Sequence, residues 1–303
     1  MFPMAGLLAV IKENKSPDIT FQLLESPPPE PAGGDWIHHW YTPAGEITIS
    51  LAGTGAGYLL RFPFLADFVI DENGCRVGGW PAAETDEETL RHLLLDQVLP
   101  RVLAHQGRLV LHASAVTVDG KALAFAGETG RGKSTLAASL HGAGYSLLTD
   151  DGLVLKAGGG SIHSIPAYAG LRLLPESVAA LFKVPPQRKA MASYSPKNRI
   201  ALDRKDAIDP VEPAALFVLG EPVGDGEKSI RVSRLSQRDA CMEIVRNSFQ
   251  LDVSSRDQAK NLFAAAGRAA EKLPVFALSY PRDFSRLPEV HEAILRQLAD
   301  LGS

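Results

Sequence analysis

Cysteine is scarce in this chain of 303 residues: only Cys75 and Cys241 are present, and no two cysteines have the C-x-x-C spacing. A small secreted protein held together by disulfides, or a structural zinc site, needs more cysteines at closer spacing. Both classes are therefore disfavoured. The composition is compatible with the reducing cytosol, and we expect a cytoplasmic protein.

A strong charge of either sign and a long apolar run are also missing. The formal net charge is −4, so nothing indicates a general nucleic-acid or membrane surface, and we expect neither partner. The apolar residues 1–11 are too short to cross a bilayer and lack the basic start of a signal peptide. We interpret them as the first strand or helix of a soluble globular protein, with one large domain or two smaller ones.

The chain does contain a glycine-rich sequence, GETGRGKS at Gly127–Ser134, which matches the pattern G-x-x-x-x-G-K-[ST] in full. A short apolar run precedes it and a run of helix formers follows, so it is placed between a strand and a helix, as in phosphate-binding loops. The glycines let backbone N–H groups converge on one anion, and the new helix adds its unpaired N–H groups. The alternative is a glycine-rich turn without a ligand; both flanks favour the phosphate site.

The pattern also assigns roles within this loop. Lys133 would neutralise the outer phosphates of ATP, and the Ser134 hydroxyl would hold Mg²⁺. The predicted nucleotide-binding residues are Gly127, Glu128, Thr129, Gly130, Arg131, Gly132, Lys133, Ser134 and Thr135.

Two adjacent carboxylates, Asp150 and Asp151, follow an apolar strand at residues 145–149. Neighbouring side chains at a strand end point in different directions, so one can face a metal or a basic group while the other faces the incoming hydroxyl. A simple turn with Gly152 is the alternative, but the position shortly after the glycine-rich sequence favours function. We predict Asp150 as a further metal ligand.

His112 is the third candidate, because it ends a strand just before the hairpin that leads into the glycine-rich sequence. The sheet can therefore place it beside the phosphates, although a lone histidine is usually structural. His38, His39 and His141 show no metal-ligand spacing, and we assign them no role.

Strands alternating with helices around a phosphate loop predict an α/β protein. Residues 1–100 are predicted to form a strand-rich N-terminal module, and residues 101–303 a catalytic domain. In the module we expect strands at 19–24, 46–51, 58–62, 68–70 and 75–80, a loop at 26–34, and a helix that begins with a capping box at residues 85–88 and is kinked or ended by Pro100. In the catalytic domain we expect strands at 108–112, 115–118, 145–149, 214–219, 230–235 and 275–280, and helices at 237–248, 256–271 and 287–298.

A basic loop is predicted around Arg188 and Lys197, because Pro185, Pro186 and Pro196 interrupt regular structure there. Two interpretations stay open. The loop either closes over the phosphates or is an ordinary solvated surface loop.

Three segments together resemble a known family: residues 111–116, Gly127–Ser134 and residues 147–151. They look like the C-terminal domain of bacterial HPr kinase/phosphorylase and, more closely, the HPr-kinase-related proteins of peptide-modifying gene clusters, including lasso-peptide kinases. The histidine stands 15 residues before the first loop glycine, and the second aspartate 17 residues after the loop serine. The resemblance is good over residues 108–175 and looser to residue 300, while residues 1–100 look like the variable strand-rich module of the related group.

The resemblance implies a phosphoenolpyruvate-carboxykinase-like P-loop core that uses ATP and Mg²⁺. Asp151 would be the proton acceptor for a serine hydroxyl, with His112 and Lys133 also in the catalytic set and Ser134 holding the metal. Glu176 is the nearest candidate for the family's further metal-binding glutamate.

The sequence departs from true HPr kinases after the aspartate pair, where their glycine-rich, arginine-containing segment is not found. The nearest substitute contains Arg172. We therefore expect an acceptor other than HPr, a small protein or ribosomal precursor peptide of lasso type, contacted by Arg172, Arg188 and Lys197. Two alternatives stay open, a kinase of small-molecule hydroxyls and a nucleotide-gated regulator without transfer chemistry, and so does a homo-oligomer.

Overall fold

The computed structural model describes residues 17–33, 35–158, 161–166, 170–184, 186–202, 209–221 and 229–302. The strand or helix predicted in residues 1–11 lies outside these ranges, as do Gly34 of the predicted loop and Pro185 of the predicted basic loop. The described residues form a mixed α/β structure with four sheets.

Six strands near the N-terminus form one sheet, in the order β1-β6-β5-β4-β3-β2. They are β1 (Thr20–Leu23), β2 (Trp36–Tyr41), β3 (Ile47–Thr54), β4 (Gly57–Phe62), β5 (Ala66–Asp71) and β6 (Arg76–Pro81). Five of them coincide with predicted strands. The prediction missed β2, whose sequence WIHHWY is half-buried along nearly its whole length and shows no apolar–polar alternation.

A continuous helical stretch covers the inner face of this sheet and packs on it through Leu90, Leu93 and Leu94. It consists of α1 (Glu87–His92), a π-helical turn (Leu93–Val98) and α2 (Leu99–His105). The predicted capping box is one residue early: Asp86 is the N-cap and accepts a hydrogen bond from the Thr89 N–H at 2.7 Å.

Pro100 does not end this helical stretch, which continues to His105. The π-helical turn (Leu93–Val98) lies just before Pro100, which has no backbone N–H to donate to the helix. The predicted domain boundary after residue 100 falls inside α2, and the division into two domains stays a prediction.

The rest of the chain forms the remaining three sheets and five helices of the described part. In chain order the elements are β7 (Leu109–Leu111), β8 (Ala113–Val118), β9 (Lys121–Ala126), α3 (Lys133–Gly142), β10 (Ser146–Thr149), β11 (Leu153–Gly158), β12 (Ser161–Ile165), β13 (Gly170–Leu173), α4 (Pro175–Leu181), β14 (Arg188–Ala192), β15 (Ser195–Ala201), β16 (Pro213–Leu219), β17 (Arg231–Arg234), α5 (Gln237–Arg246), α6 (Arg256–Lys272), β18 (Val275–Ser279), a 3₁₀ turn (Phe284–Arg286) and α7 (Leu287–Gly302).

The central sheet has the order β10-β8-β9-β16-β18-β17, and its middle strands β9, β16 and β18 are parallel. Apolar clusters cover both faces of this sheet, which explains why the sequences of these strands are nearly continuous apolar runs. Phe125, Phe217 and Phe276 fill one side, with the last two rings stacked 5.1 Å apart. Because the carboxyl ends of parallel strands meet at one edge, the segments that follow β9, β16 and β18 gather there, as in ligand-binding α/β sheets.

The predicted basic loop is wrong: β14 and β15 form a hairpin, which joins β13 in a three-stranded sheet of order β13-β15-β14. Pro196 is tolerated because the pairing of β15 with β13 begins only at Asn198, so its missing N–H removes no bond to β13. The other three-stranded sheet has the order β12-β11-β7. Within the described ranges, no helix is long and apolar enough to span a membrane.

Candidate active site

The residues Gly127–Ser134, here called the glycine-rich loop, connect β9 directly to α3. Gly127, Gly130 and Gly132 have φ angles of +131°, +84° and +95°, in the region that side chains disfavour. At Gly127 a Cβ would also lie 2.7 Å from the carbonyl oxygen of Leu219 at the end of β16. Glycine is therefore required there for the loop to pass the neighbouring strand. The Gly127 N–H donates to the Asn247 side-chain oxygen at 2.8 Å, which fixes the start of the loop to the end of α5.

Lys133 begins α3, and its side chain folds back over the loop, where it is buried. Its Nζ donates to the carbonyl oxygens of Gly127 at 2.7 Å and Glu128 at 3.1 Å. The pKa of Lys133 is lowered to about 8, chiefly by burial; the charge of Asp151 opposes this shift, and the charge of Lys197 adds to it. The ammonium group is thus held at the mouth of the loop, within the electrostatic field of Asp151.

Three other predicted nucleotide contacts differ in their surroundings. Ser134 is half-buried in the first turn of α3. The Thr135 hydroxyl is turned toward α4, where it lies 3.1 Å from the Ser177 hydroxyl. Arg131 is ion-paired with Glu221 and, at 2.6 Å, with Glu128. A phosphate would therefore have to displace these carboxylates before it could pair with Arg131.

Asp150 has no solvent-exposed side-chain surface. One carboxylate oxygen accepts a hydrogen bond from the Ser114 hydroxyl at 2.5 Å, and the other accepts one from the Arg172 backbone N–H at 2.8 Å. Burial and the adjacent negative charge of Asp151 raise the pKa of Asp150. Because both oxygens accept hydrogen bonds and neither faces the solvent, this arrangement does not favour Asp150 as a metal ligand, and that role stays a prediction.

Asp151 points differently, as expected for neighbouring residues at a strand end. It has a φ of +69°, unusual for a residue with a side chain, and its carboxylate is partly exposed. One oxygen lies 3.5 Å from Nε2 of His112, and the other lies 3.3 Å from Nε of Arg172. Burial alone would raise the pKa of Asp151, but His112 and the Arg172 charge hold it well below its usual range. Asp151 is therefore an ionised carboxylate beside His112 and at the edge of the site.

Arg172 lies beneath the two aspartates and is fully buried, which does not favour the predicted contact with substrate; that contact stays a prediction. Its guanidinium donates to both oxygens of Asp96, at 2.8 and 2.5 Å, and to the Asp150 carbonyl oxygen at 3.0 Å. Asp96 comes from the π-helical turn and also lies 2.7 Å from Nδ1 of His92. Sequence reasoning missed Asp96; the signal was a single carboxylate inside the apolar run of residues 93–98.

One of the two predicted substrate residues on the β14–β15 hairpin acts electrostatically on the site. The charge of Lys197 lowers the pKa values of both Lys133 and Asp151. Arg188 is exposed on β14, and no hydrogen bond or ion pair within the described structure links it to the aspartates. Glu176 is exposed on α4 and contributes to a separate small cavity on the other side of the glycine-rich loop.

A cavity of about 890 Å³ opens beside the first half of the glycine-rich loop. His112 lines it, held by its backbone N–H, which donates to the Asn247 carbonyl oxygen at 2.7 Å. The opposite walls include Trp40 from the N-terminal sheet, Arg101 from α2, and Phe249.

A magnesium ion at this site would need oxygen ligands from the protein. In the described ranges no three His, Cys, Asp or Glu side chains form a cluster that could hold a metal. Magnesium at nucleotide sites needs no such cluster, because phosphates and waters supply most of its ligands and the protein only one or two oxygens. The Ser134 hydroxyl fits that requirement.

Comparison with known proteins gives a distant likeness to solved structures. No protein-family model matches the chain, and no curated protein matches it. Among solved structures, the fold is similar to the HPr(Ser) kinase/phosphatase from Coxiella burnetii, with 15% sequence identity over 62% of this chain and 94% of that chain. The TM-score is 0.30, so the likeness is remote.

Proposed function

We propose that this protein is an ATP- and Mg²⁺-dependent kinase that transfers the γ-phosphate of ATP to a hydroxyl group. The observation that carries the proposal is the pairing of a buried lysine over a glycine-rich loop with an ionised carboxylate in its electrostatic field. Phosphoryl transfer needs positioning and charge neutralisation more than covalent chemistry by the protein. Lys133, the loop N–H groups and Asp151 supply these functions.

Each group of the site has a separate task in this proposal. Lys133 exchanges its two carbonyl contacts for oxygens of the β- and γ-phosphates, and Ser134 holds the magnesium ion. Asp151 takes the proton of the acceptor hydroxyl as that oxygen bonds to the γ-phosphorus, while the bond from the γ-phosphorus to ADP breaks. The low pKa of Asp151 makes it a weak base, which suffices where the transition state is loose and little deprotonation precedes transfer.

Positioning of Asp151 falls to the buried ion network. Arg172, anchored by Asp96, contacts one oxygen of Asp151, and His112 lies beside the other. Both contacts keep the carboxylate ionised and limit its rotation, which preserves the alignment on which transfer depends.

For the acceptor we favour a serine hydroxyl on a small protein or ribosomal precursor peptide. β14 is an edge strand with exposed residues Arg188, Lys189 and Ala190, and the neighbouring β15 carries Lys197, whose charge acts on Asp151. An extended peptide can add to such an edge and present a hydroxyl beside it. A small-molecule hydroxyl is the second candidate, favoured by the 890 Å³ cavity, because pockets for small ligands measure roughly 300–1,000 Å³.

The test is incubation with ATP and Mg²⁺ followed by mass spectrometry. The acceptors tried in parallel are HPr, a small precursor peptide encoded near the gene, and a panel of small hydroxyl compounds. Asp151→Asn keeps the shape but cannot take the proton, so transfer should fall by at least about a hundredfold while nucleotide binding persists.

The matched control is Asp119→Asn, the same change at an exposed turn between β8 and β9, which should leave transfer unchanged. If Asp151→Asn transfers phosphate at the wild-type rate, Asp151 is not the proton acceptor. If the wild-type protein phosphorylates HPr and no other acceptor, the proposed acceptor class is wrong.

A further inference from the structure

Arg101 on α2 is a buried cation without a carboxylate partner. The residue is 8% exposed, and within the described structure no Asp or Glu oxygen lies at ion-pair distance from it. Its Nη1 donates to the carbonyl oxygen of Gln97 at 2.7 Å and to the Gln97 side-chain oxygen at 3.1 Å, while its Nε has no partner. Burial lowers the pKa of Arg101 to about 10, so the group still carries its charge at neutral pH. An uncompensated buried charge is costly, which points to a ligand that completes it.

Two aromatic rings flank the guanidinium. Its Cζ lies 5.6 Å from the Trp40 ring centroid and 5.4 Å from the Phe249 ring centroid. Such rings stabilise a desolvated guanidinium through their faces but leave its N–H groups available to an oxyanion. The arrangement is therefore a charged centre with apolar walls.

The Phe249 ring also lies close to His112, and so links Arg101 to the residues around Asp151. The His112 ring lies 5.7 Å from Phe249, and His112 in turn lies 3.5 Å from Asp151. Arg101, His112 and the first half of the glycine-rich loop line the same cavity. A ligand bound at Arg101 therefore occupies the cavity whose wall includes His112, the neighbour of the proposed proton acceptor.

The other cations on this cavity wall are already neutralised. Arg131 is paired with Glu221 and Glu128, and Arg246 is paired with Glu243 at 2.5 Å. Among the described residues that line the cavity, Arg101 is thus the cation left for an external anion.

We propose that Arg101 binds an oxyanion of the phosphoryl acceptor, a carboxylate or a phosphate, and that the apolar part of the acceptor lies between Trp40 and Phe249. Trp40 belongs to the N-terminal sheet, so the proposal gives that sheet a share in acceptor recognition. Naming the ligand as the acceptor rests on the proposed kinase function; the anion site itself does not.

The anion site can be measured without ATP by calorimetry with four probes. N-acetylglycyl-serine is compared with its C-terminal amide, and glycerol 3-phosphate with glycerol. We expect one charged probe to bind and its neutral counterpart to bind at least about tenfold more weakly, since a hydrogen bond to a charged group is worth roughly 1.5–3 kcal/mol. The first pair reports a carboxylate and the second a phosphate.

Arg101→Met should weaken binding of the charged probe by at least about tenfold, whereas Arg246→Met, at a paired arginine of the same wall, should leave it unchanged. A second measurement leaves Arg101 intact. The bound probe should change the tryptophan fluorescence of the wild type, and Trp40→Phe should remove that change while Trp80→Phe keeps it.

Three results would overturn the proposal. One is that neither charged probe binds the wild type at millimolar concentration. Another is that Arg101→Met, or Trp40→Phe in the fluorescence assay, behaves like the wild type. The third is that the β,γ-imido analogue of ATP competes with the probe, because the anion site would then belong to the nucleotide. Loss of kinase activity with intact probe binding would refute the proposed function alone.

Discussion

Replacing Arg172 by methionine removes the only cation that touches all three carboxylates of the site, Asp96, Asp150 and Asp151, within the described structure. Arg172 and Asp150 have no exposed side-chain surface, and Asp96 has 3%. Breaking one buried ion pair by removing a partner costs roughly 3–5 kcal/mol. We expect the free energy of unfolding at pH 7 to fall by at least about 3 kcal/mol, a large part of the 5–15 kcal/mol typical of native proteins.

This loss of stability in Arg172→Met should depend on pH in a definite direction. In the wild type the folded-state pKa of Asp151 is depressed, so its contribution to stability is present above the unfolded value of about 4 and lost as the pH falls through the folded value. Without Arg172 the folded-state pKa values of the buried carboxylates rise above the unfolded value, and folding then favours their protonated forms. The difference in the free energy of unfolding between wild type and variant should therefore be largest at neutral pH and should decrease toward pH 4.

Urea unfolding of both proteins at pH 7.0, 5.5 and 4.0 measures this difference. The matched control is Arg188→Met, the same change at an exposed position of β14, which should cost less than about 0.5 kcal/mol. Adding Asp96→Asn to Arg172→Met should recover part of the lost stability, because it removes one of the buried carboxylate charges that Arg172 no longer neutralises. A loss below about 1 kcal/mol at pH 7, or a difference that does not vary with pH, would show that this network does not hold the site as described.

Two further predictions concern the glycine-rich loop. Because the pKa of Lys133 is about 8 in the free protein and bound phosphates favour its charged form, nucleotide affinity should fall above pH 8, approaching about tenfold per pH unit. Calorimetry in buffers of different ionisation enthalpy should also detect proton uptake on binding near pH 8, and a flat profile between pH 7 and 9 would contradict it. Gly127→Ala places a Cβ 2.7 Å from the Leu219 carbonyl oxygen at a φ of +131°, so both the melting temperature and nucleotide affinity should drop. Gly142→Ala, in α3 with open space around it, should lower neither, and equal behaviour of the two variants would rule out the steric explanation.

Local patterns predicted the glycine-rich loop and its surroundings from the sequence. The apolar run, the glycines and the helix formers each specify structure over a few residues, so the strand, turn and helix follow in order. The tight turn at Asp119 and Gly120 between β8 and β9 is of the same kind, with both residues at positive φ. The position of Asp151 at the end of β10 was predictable for the same reason.

The surroundings of Asp151 were beyond these patterns, because tertiary packing brings them together. Asp96 lies 76 positions before Arg172 and reaches it from a helix that packs on a different sheet. Arg101 lies one helical turn further on and meets Phe249 only in the folded chain. The sequence did not single out either residue, because the surrounding leucines and valines predict a buried helix face. A charged residue on such a face does not by itself indicate a functional site.

The hairpin of β14 and β15 shows a second limit. Proline usually interrupts regular structure, which is why a loop was predicted at this position. Pro196 instead stands where β15 has no partner on the β13 side, a circumstance that depends on the pairing of distant strands. As a result the sequence placed Lys197 and Arg188 in one loop, whereas in the structure they lie on two paired strands, and the charge of Lys197 acts on Asp151.

Calorimetric titration of the β,γ-imido analogue of ATP in the presence of Mg²⁺ tests the central claim most directly, because it requires no knowledge of the acceptor. The wild type should bind one nucleotide per chain. Lys133→Ala should weaken binding by at least about tenfold, since it removes charge-assisted hydrogen bonds to phosphate, while Asp151→Asn should bind nearly as the wild type does. Absence of binding by the wild type, or equal affinity of a folded Lys133→Ala variant, would contradict the assignment of the glycine-rich loop as a nucleotide site.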